Sequence, residues 1–123
     1  MHMKILVVDD EADVQPLFVQ RFRKEIKSGE FDFSFALSGE EALAYLEKHH
    51  SEVILILSDI NMPGMTGIQL AEIVRLKRPH MPVLLATGYT DLPASKLANL
   101  PRLAKPYQQA QLQAEIEKLL DIA

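Results

Sequence analysis

The sequence predicts a doubly wound α/β domain, and three observations support this fold class. Short apolar or β-branched runs alternate with helical patterns along the whole chain, which is typical of parallel strands joined by crossover helices that cover both faces of a sheet. Two of the runs, residues 5–8 and 53–57, show no polar alternation, as expected of strands buried on both faces. The chain has 123 residues and is 48% hydrophobic, which suffices for one core. We therefore expect a single domain over residues 1–123.

Five runs are predicted to be strands. In chain order they cover residues 4–8, 31–37, 53–58, 82–87 and, with the weakest pattern, 102–104. The first and third runs are the most continuously apolar, so we expect them at the centre of the sheet.

Helical patterns fill the intervals between these strands. One helix is predicted between the first two strands, ending at Gly29, because apolar residues recur there at helical spacing: Val14, Leu17, Phe18, Phe22 and Ile26. A second helix is predicted from Ser38 to about His49, since Ser38 with Glu41 three positions later is a capping-box pattern.

Three further helices are predicted in the second half of the chain. One covers residues 66–77 and ends before Pro79. A short one follows Asp91 and Pro93, and the last begins at about Tyr107. The last helix carries its apolar residues on one side: Leu112, Ile116, Leu119 and Leu120.

Composition and charge exclude several classes of function. The formal net charge is −4, and a nucleic-acid interface would need a basic stripe, so we expect no direct binding to nucleic acid. The apolar runs are too short to cross a bilayer, so we expect no membrane insertion. The absence of cysteine fits a reducing compartment, and we expect a cytoplasmic protein.

Polar residues follow four of the five predicted strands. They are Asp9, Asp10 and Glu11 after the first, Asp59 after the third, Thr87 after the fourth and Lys105 after the fifth. In open α/β sheets ligands bind outside the carboxyl ends of the strands, where the strand order reverses. In the flavodoxin-like order 2-1-3-4-5 this point lies between the first and third strands. We therefore expect Asp9, Asp10 and Asp59 to converge there.

Three converging carboxylates require compensation, because each pair at about 4 Å repels by roughly 4 kcal/mol at an effective dielectric constant of about 20. Protonation of one carboxyl group or a bound cation would relieve this repulsion. An all-oxygen ligand set favours Mg²⁺, with Mn²⁺ as the alternative ion, over zinc. Together with the Thr87 hydroxyl and the Lys105 ammonium group, such a site suggests phosphate chemistry, with Asp59 as a nucleophile that forms an acyl phosphate.

Each of these residues also has an ordinary structural interpretation. An Asp after a strand is commonly an N-cap or turn residue, Thr87 before Gly88 fits a turn, and Lys105 before Pro106 fits a loop. Their joint occurrence at four strand ends of one sheet favours the functional interpretation.

Four segments in order resemble the receiver domains of two-component response regulators. They are residues 5–11 (ILVVDDE), 58–67 (SDINMPGMTG), 86–89 (ATGY) and 105–107 (KPY). The resemblance implies that Asp59 accepts a phosphoryl group from a histidine kinase or a histidine phosphotransfer protein in a Mg²⁺-dependent phosphorelay reaction. The resulting aspartyl phosphate would switch the conformation of the domain.

The resemblance also implies a role for each site residue. The implied metal ligands are the side chains of Asp10 and Asp59, the backbone carbonyl of Asn61, and Asp9 through water, while Thr87 and Lys105 contact the phosphoryl group. Pro63 and Gly64 would shape the loop beside the acceptor.

The sequence departs from the family pattern at Arg102. An aromatic residue is common at this position, three residues before the lysine, and Tyr89 or Tyr107 is the candidate substitute. The short connection between Thr87 and Lys105 resembles receiver domains of hybrid histidine kinases.

Two alternatives stay open from the sequence. A phosphatase of the haloacid-dehalogenase type also uses a strand-end aspartate with magnesium, but that family has a second Asp two positions later, where this chain has Asn61. A degenerate receiver would act only as a binding module, although the acidic residues, Thr87 and Lys105 are all present. We expect a phosphoacceptor switch rather than an enzyme, either a stand-alone regulator or a piece of a longer protein. No motif indicates a dimer, and dimerisation stays open.

Overall fold

The computed structural model describes residues 3–29, 31–49, 51–60, 62–87, 102–104 and 109–119. The described residues form one parallel sheet of five strands: β1 (Met3–Val8), β2 (Phe31–Ala36), β3 (Val53–Asp59), β4 (Val83–Thr87) and β5 (Arg102–Ala104). The strand order is β2-β1-β3-β4-β5, as predicted. The observed bounds agree with the predicted ones at six of the ten strand ends and differ by one residue at the other four.

The central strands contribute side chains to both faces of the sheet. Ile5 and Val7 of β1 pack into one apolar cluster, and Leu6 and Val8 pack into the other. Successive residues of a strand point to opposite faces, so a strand covered on both sides needs apolar residues at every position. This explains why β1 shows no polar alternation.

Five helices in the described part of the chain cover the sheet. They are α1 (Val14–Arg21), α2 (Arg23–Ser28), α3 (Gly39–His49), α4 (Gly67–Lys77) and α5 (Gln109–Leu119). Helices α3 and α4 pack on one face through Leu46 and Leu70, while α1 and α5 pack on the other through Phe18 and Leu112. The prediction of a doubly wound domain is confirmed. None of the helices so described is both long enough and apolar enough to span a bilayer.

The first predicted helix is two helices in the structure, so the prediction of one continuous helix was wrong. The break lies at Phe22, whose φ of −104° and ψ of 25° are not helical. The Phe22 ring is fully buried and packs against Phe18 and Phe33, with ring centroids 5.8 and 5.1 Å away. Leu17, which shares the helical spacing, is 58% exposed. The predicted stop is confirmed, because α2 ends at Gly29 in the left-handed conformation.

Side-chain caps fix the starts of two helices. At α3, Ser38 Oγ accepts a hydrogen bond of 3.0 Å from the Glu41 amide, as the predicted N-cap requires. At α4, Thr66 and Gln69 form a full capping box: the Gln69 amide donates to Thr66 Oγ1 at 3.2 Å, and the Thr66 amide donates to Gln69 Oε1 at 2.9 Å.

Helix α4 ends at Lys77, before Pro79, as predicted. The predicted helix after Asp91 and the predicted start of the last helix at Tyr107 lie outside the described residues.

Candidate functional site

Three carboxylates converge at the carboxyl edge of the sheet. Oxygen atoms of Asp9, Asp10 and Asp59 lie within 4.8 Å of one another. Asp9 and Asp10 directly follow β1, Asp59 is the last residue of β3, and the two strands are neighbours in the sheet. Asp10 is exposed, whereas Asp9 and Asp59 are partly buried. The structure thus brings together three of the residues that the sequence pointed to.

Two hydrogen bonds, one to the side chain of Asp9 and one from its backbone amide, hold this residue in place. Its Oδ1 accepts a hydrogen bond of 3.0 Å from the Glu11 amide, which is a side-chain-to-backbone turn typical of Asp. Its amide donates at 3.0 Å to the carbonyl of Ala36, the last residue of β2. The carboxylate of Asp9 is therefore oriented by the chain that leaves β1 and by the neighbouring strand.

Contacts from β4 and the start of α4 hold the backbone at and just after Asp59. The fully buried Ser58 donates from Oγ to the Asp59 carbonyl at 3.0 Å. The Ile60 amide donates to the Ala86 carbonyl of β4 at 3.3 Å, and the Gly67 amide donates to the Ile60 carbonyl at 3.0 Å. A Cβ atom on Gly67 would lie far inside van der Waals contact of the Asp59 carbonyl oxygen. The start of α4 approaches Asp59 so closely that only glycine fits there.

The donor set of this cluster fits a hard divalent cation. All three candidate ligands in the described cluster are carboxylates, and oxygen is the ligand that Mg²⁺ prefers. A cation would also remove the repulsion between three negative charges in so small a volume.

The other predicted site residues are placed only in part. Thr87 is the last residue of β4, one position beyond Ala86, which pairs with Asp59, so its backbone lies at the same edge of the sheet. The side chain of Thr87 lies outside the described residues, as do Asn61 and Lys105. The same holds for the side chain of Arg102 and for Tyr89 and Tyr107.

Two features of the site were not anticipated from the sequence. Ser58 is the only polar residue among the fully buried ones in the described part of the chain. The sequence feature that could have predicted its burial is its position directly after the apolar run 53–57. Gly39 lies close to Met65 of the loop after β3, and no local sequence pattern predicts this contact.

A second polar cluster lies at the opposite, amino-terminal edge of the sheet. Burial lowers the pKa of Lys4, but a hydrogen bond to the Tyr45 hydroxyl and the negative charges of Glu52 and Asp32 outweigh burial and raise that pKa above its ordinary value. The pKa of Glu52 is lowered, first by its 2.7 Å hydrogen bond with His49 Nδ1 and then by the charge of Lys4. These groups lie at the start of β1 and near the end of α3, at the edge of the sheet opposite the three aspartates.

A family model described as the response regulator receiver domain matches residues 5–117. The chain belongs to this family. The receiver domain is thus a phosphoacceptor switch domain of two-component signalling, and the family assignment does not support the phosphatase alternative. Receiver domains generally bind Mg²⁺ through acidic residues, and they interact with histidine kinases or phosphotransfer proteins.

Several relatives match the receiver domain over nearly its whole length. Chemotaxis protein CheY of Pseudomonas aeruginosa is 31% identical, over 97% of this chain and 97% of that protein. Sporulation initiation phosphotransferase F of Bacillus subtilis is 29% identical, over 99% of this chain and 97% of that protein. A receiver domain structure from Clostridium thermocellum has a TM-score of 0.85 at 24% identity, covering 97% of this chain and 94% of the other, and it shows the same fold.

Other relatives are much longer than this chain. The receiver domain spans 18% of the response regulator protein FleR of Pseudomonas aeruginosa and 50% of the response regulator RppA of Synechocystis. It spans 12% of the sensor kinase CckA of Brucella abortus, at 30% identity.

Proposed function

We propose that Asp59 of this receiver domain accepts a phosphoryl group from a histidine kinase or a histidine phosphotransfer protein in a Mg²⁺-dependent reaction. The observation that carries the proposal is the convergence of Asp9, Asp10 and Asp59 within 4.8 Å at the carboxyl edge of β1 and β3. Among the three, Asp59 lies on the strand between β1 and β4, so it is flanked by the other two carboxylates on one side and by the backbone of Thr87 on the other.

The carboxylates of Asp10 and Asp59 would hold the cation directly, Asp9 would support it through water, and Asn61 would add its backbone carbonyl. When bound, Mg²⁺ neutralises the carboxylates and the phosphoryl oxygens, so that an anionic nucleophile and an anionic donor can approach each other. Mn²⁺ prefers similar oxygen ligands and would substitute for it.

The Asp59 carboxylate oxygen attacks the phosphorus of the donor phosphohistidine. The new O–P bond forms as the P–N bond breaks, the released imidazole nitrogen takes a proton from solvent, and Asp59 becomes an acyl phosphate. The Thr87 hydroxyl donates to a phosphoryl oxygen, and the Lys105 ammonium group pairs with the same group. The new charge then shifts a conformational equilibrium that a partner protein detects.

The relatives support the class of partner. One is named a phosphotransferase of sporulation initiation and another a sensor kinase, and both align with almost all of this chain. The domain works either alone, in the manner of the relatives of equal length, or as a module of a longer protein such as a hybrid kinase. The proposed compartment is the cytoplasm, where the ATP that kinases consume is held.

The test is to label the wild type and Asp59→Asn with acetyl phosphate and Mg²⁺ and to follow the acyl phosphate by intact mass. We expect labelling of the wild type to reach one phosphoryl group and labelling of Asp59→Asn to be lost, because the amide is not a nucleophile. Asp13→Asn is the matched control: Asp13 is exposed, makes no side-chain cap at α1, and should label like the wild type. Undiminished labelling of Asp59→Asn would overturn the assignment, and repeated turnover of a phosphate ester would favour a phosphatase.

A further inference from the structure

The loop after β3 lies on the first turn of α3. A Cβ atom built on Gly39 would be 2.5 Å from Sδ, 2.9 Å from Cγ and 3.0 Å from Cβ of Met65, so the thioether covers the glycine directly. A Cβ atom on Gly64 would be 3.6 Å from Oε2 of Glu40. Two consecutive loop residues therefore face two consecutive residues of α3.

The α3 side of this contact is connected to Asp9. The Asp9 amide donates to the Ala36 carbonyl at 3.0 Å, and three residues later the helix begins at Gly39. The first turn is itself held by the cap, in which the Glu41 amide donates to Ser38 Oγ at 3.0 Å. The surface that Met65 contacts is thus fixed relative to Asp9.

The loop side of the contact is connected to Asp59. The loop begins immediately after Asp59 and closes where the Gly67 amide donates to the Ile60 carbonyl at 3.0 Å. Met65 lies inside this closed segment, and its partly buried side chain packs against the apolar cluster beneath α3 and α4. Met65 therefore belongs to a loop whose two ends, Ile60 and Gly67, both adjoin Asp59.

We propose that Met65 is a positioning residue of the acidic cluster: by packing on Gly39 it holds the loop after Asp59 against the segment that is bonded to Asp9. The proposal rests on the function proposed above. Methionine suits this place because its unbranched, polarisable side chain adapts to the narrow space above a glycine. Misplacement of reacting groups by about 1 Å can cost about 100-fold in rate, so a contact outside the reacting atoms can matter.

The direct test is Met65→Ala, with Mg²⁺ affinity measured by calorimetric titration and the labelling rate measured with acetyl phosphate. We expect about tenfold weaker Mg²⁺ binding and slower labelling, in the range found when groups that orient metal ligands are removed. Met65→Leu retains most of the side-chain volume and should restore most of both quantities, although its branched side chain fits the space above Gly39 less well. Urea unfolding establishes that each variant is folded under the assay conditions.

Met81→Ala is the matched control. Met81 is also partly buried against the same apolar cluster, but it precedes β4 at the opposite edge of the sheet. The same truncation there should lower the free energy of unfolding and leave Mg²⁺ affinity and labelling at wild-type values.

A double variant tests the contact itself. Gly39→Ala places a methyl group where the thioether lies, and we expect it to weaken Mg²⁺ binding. In Gly39→Ala combined with Met65→Ala the methyl group fills part of the vacated space, so Mg²⁺ affinity should exceed that of Gly39→Ala alone.

Wild-type Mg²⁺ affinity and labelling in Met65→Ala, or equal losses in Met81→Ala, would overturn the role of Met65 and leave the acceptor assignment intact. A wild type that neither binds Mg²⁺ nor is labelled would overturn both.

Discussion

Gly67 restricts the backbone position of Asp59 through close steric contact. Its amide bonds to the Ile60 carbonyl, and the space where a side chain would begin is taken by the Asp59 carbonyl. This is a steric requirement rather than a conformational one, because the close approach of two backbones leaves no room for Cβ.

We expect Gly67→Ala to lower the free energy of unfolding by about 1–3 kcal/mol, as overpacking does, and to slow labelling of Asp59. Urea unfolding and acetyl phosphate labelling measure the two effects. Gly29→Ala is the comparison, since Gly29 has a φ of 80° and lies at the end of α2, before β2 and at the edge of the sheet opposite the acidic cluster. It should lose stability through its backbone conformation and keep its labelling rate within a few-fold. A Gly67→Ala protein with wild-type stability would contradict the steric argument.

At the scale of elements, the phenylalanine cluster decides the shape of the first helical segment. Five aromatic rings from α1, β2 and the break at Phe22 contact one another at centroid distances between 5.1 and 6.4 Å. The hydrogen bonds from the Phe22 amide to Phe18 and from the Ile26 amide to Phe22 continue through the break. Packing of the Phe22 ring against β2 therefore coincides with the break, and the Phe22 and Ile26 amides keep helical hydrogen bonds across it.

The capping box formed by Thr66 and Gln69 stabilises the start of α4 beside Asp59. We expect Thr66→Ala to lower the free energy of unfolding by about 1 kcal/mol, because the Gln69 amide loses its acceptor. Thr66→Ser retains the hydroxyl and should be close to the wild type. Urea unfolding of the three proteins gives the difference, and equal stability of Thr66→Ala and Thr66→Ser would show that the cap contributes nothing.

At the scale of the whole molecule, the acidic cluster couples folding to the cation. Three carboxylates within 4.8 Å repel one another in the folded state but are separated in the unfolded chain, so an ion that binds the folded state alone stabilises it. The effect should be visible in global unfolding.

We expect Mg²⁺ at about 100 times its dissociation constant to raise the free energy of unfolding by about 2.7 kcal/mol. Asp10→Asn removes one charge, so the metal-free variant should be more stable than the wild type and its gain from Mg²⁺ should be small. Asp13→Asn should keep the full gain. Thermal unfolding in MgCl₂ and in NaCl of matched ionic strength measures the difference. An equal gain in Asp10→Asn would show that the ion acts at another place.

The sequence alone predicted a doubly wound domain with helices on both faces, and the flavodoxin-like strand order of that fold class then placed Asp9, Asp10 and Asp59 at one edge. Apolar periodicity and the polar residues at strand ends can be read locally. Because right-handed crossovers join parallel strands, the carboxyl ends of those strands meet at one edge of the sheet. The positions of Thr87 and Lys105 at strand ends were predicted in the same way, and the roles of their side chains stay predictions. The break at Phe22 and the contact of Met65 with Gly39 became visible only in the folded structure. Both depend on the volumes of side chains that are distant in the chain and meet only after the sheet has formed, and no spacing in one segment records them.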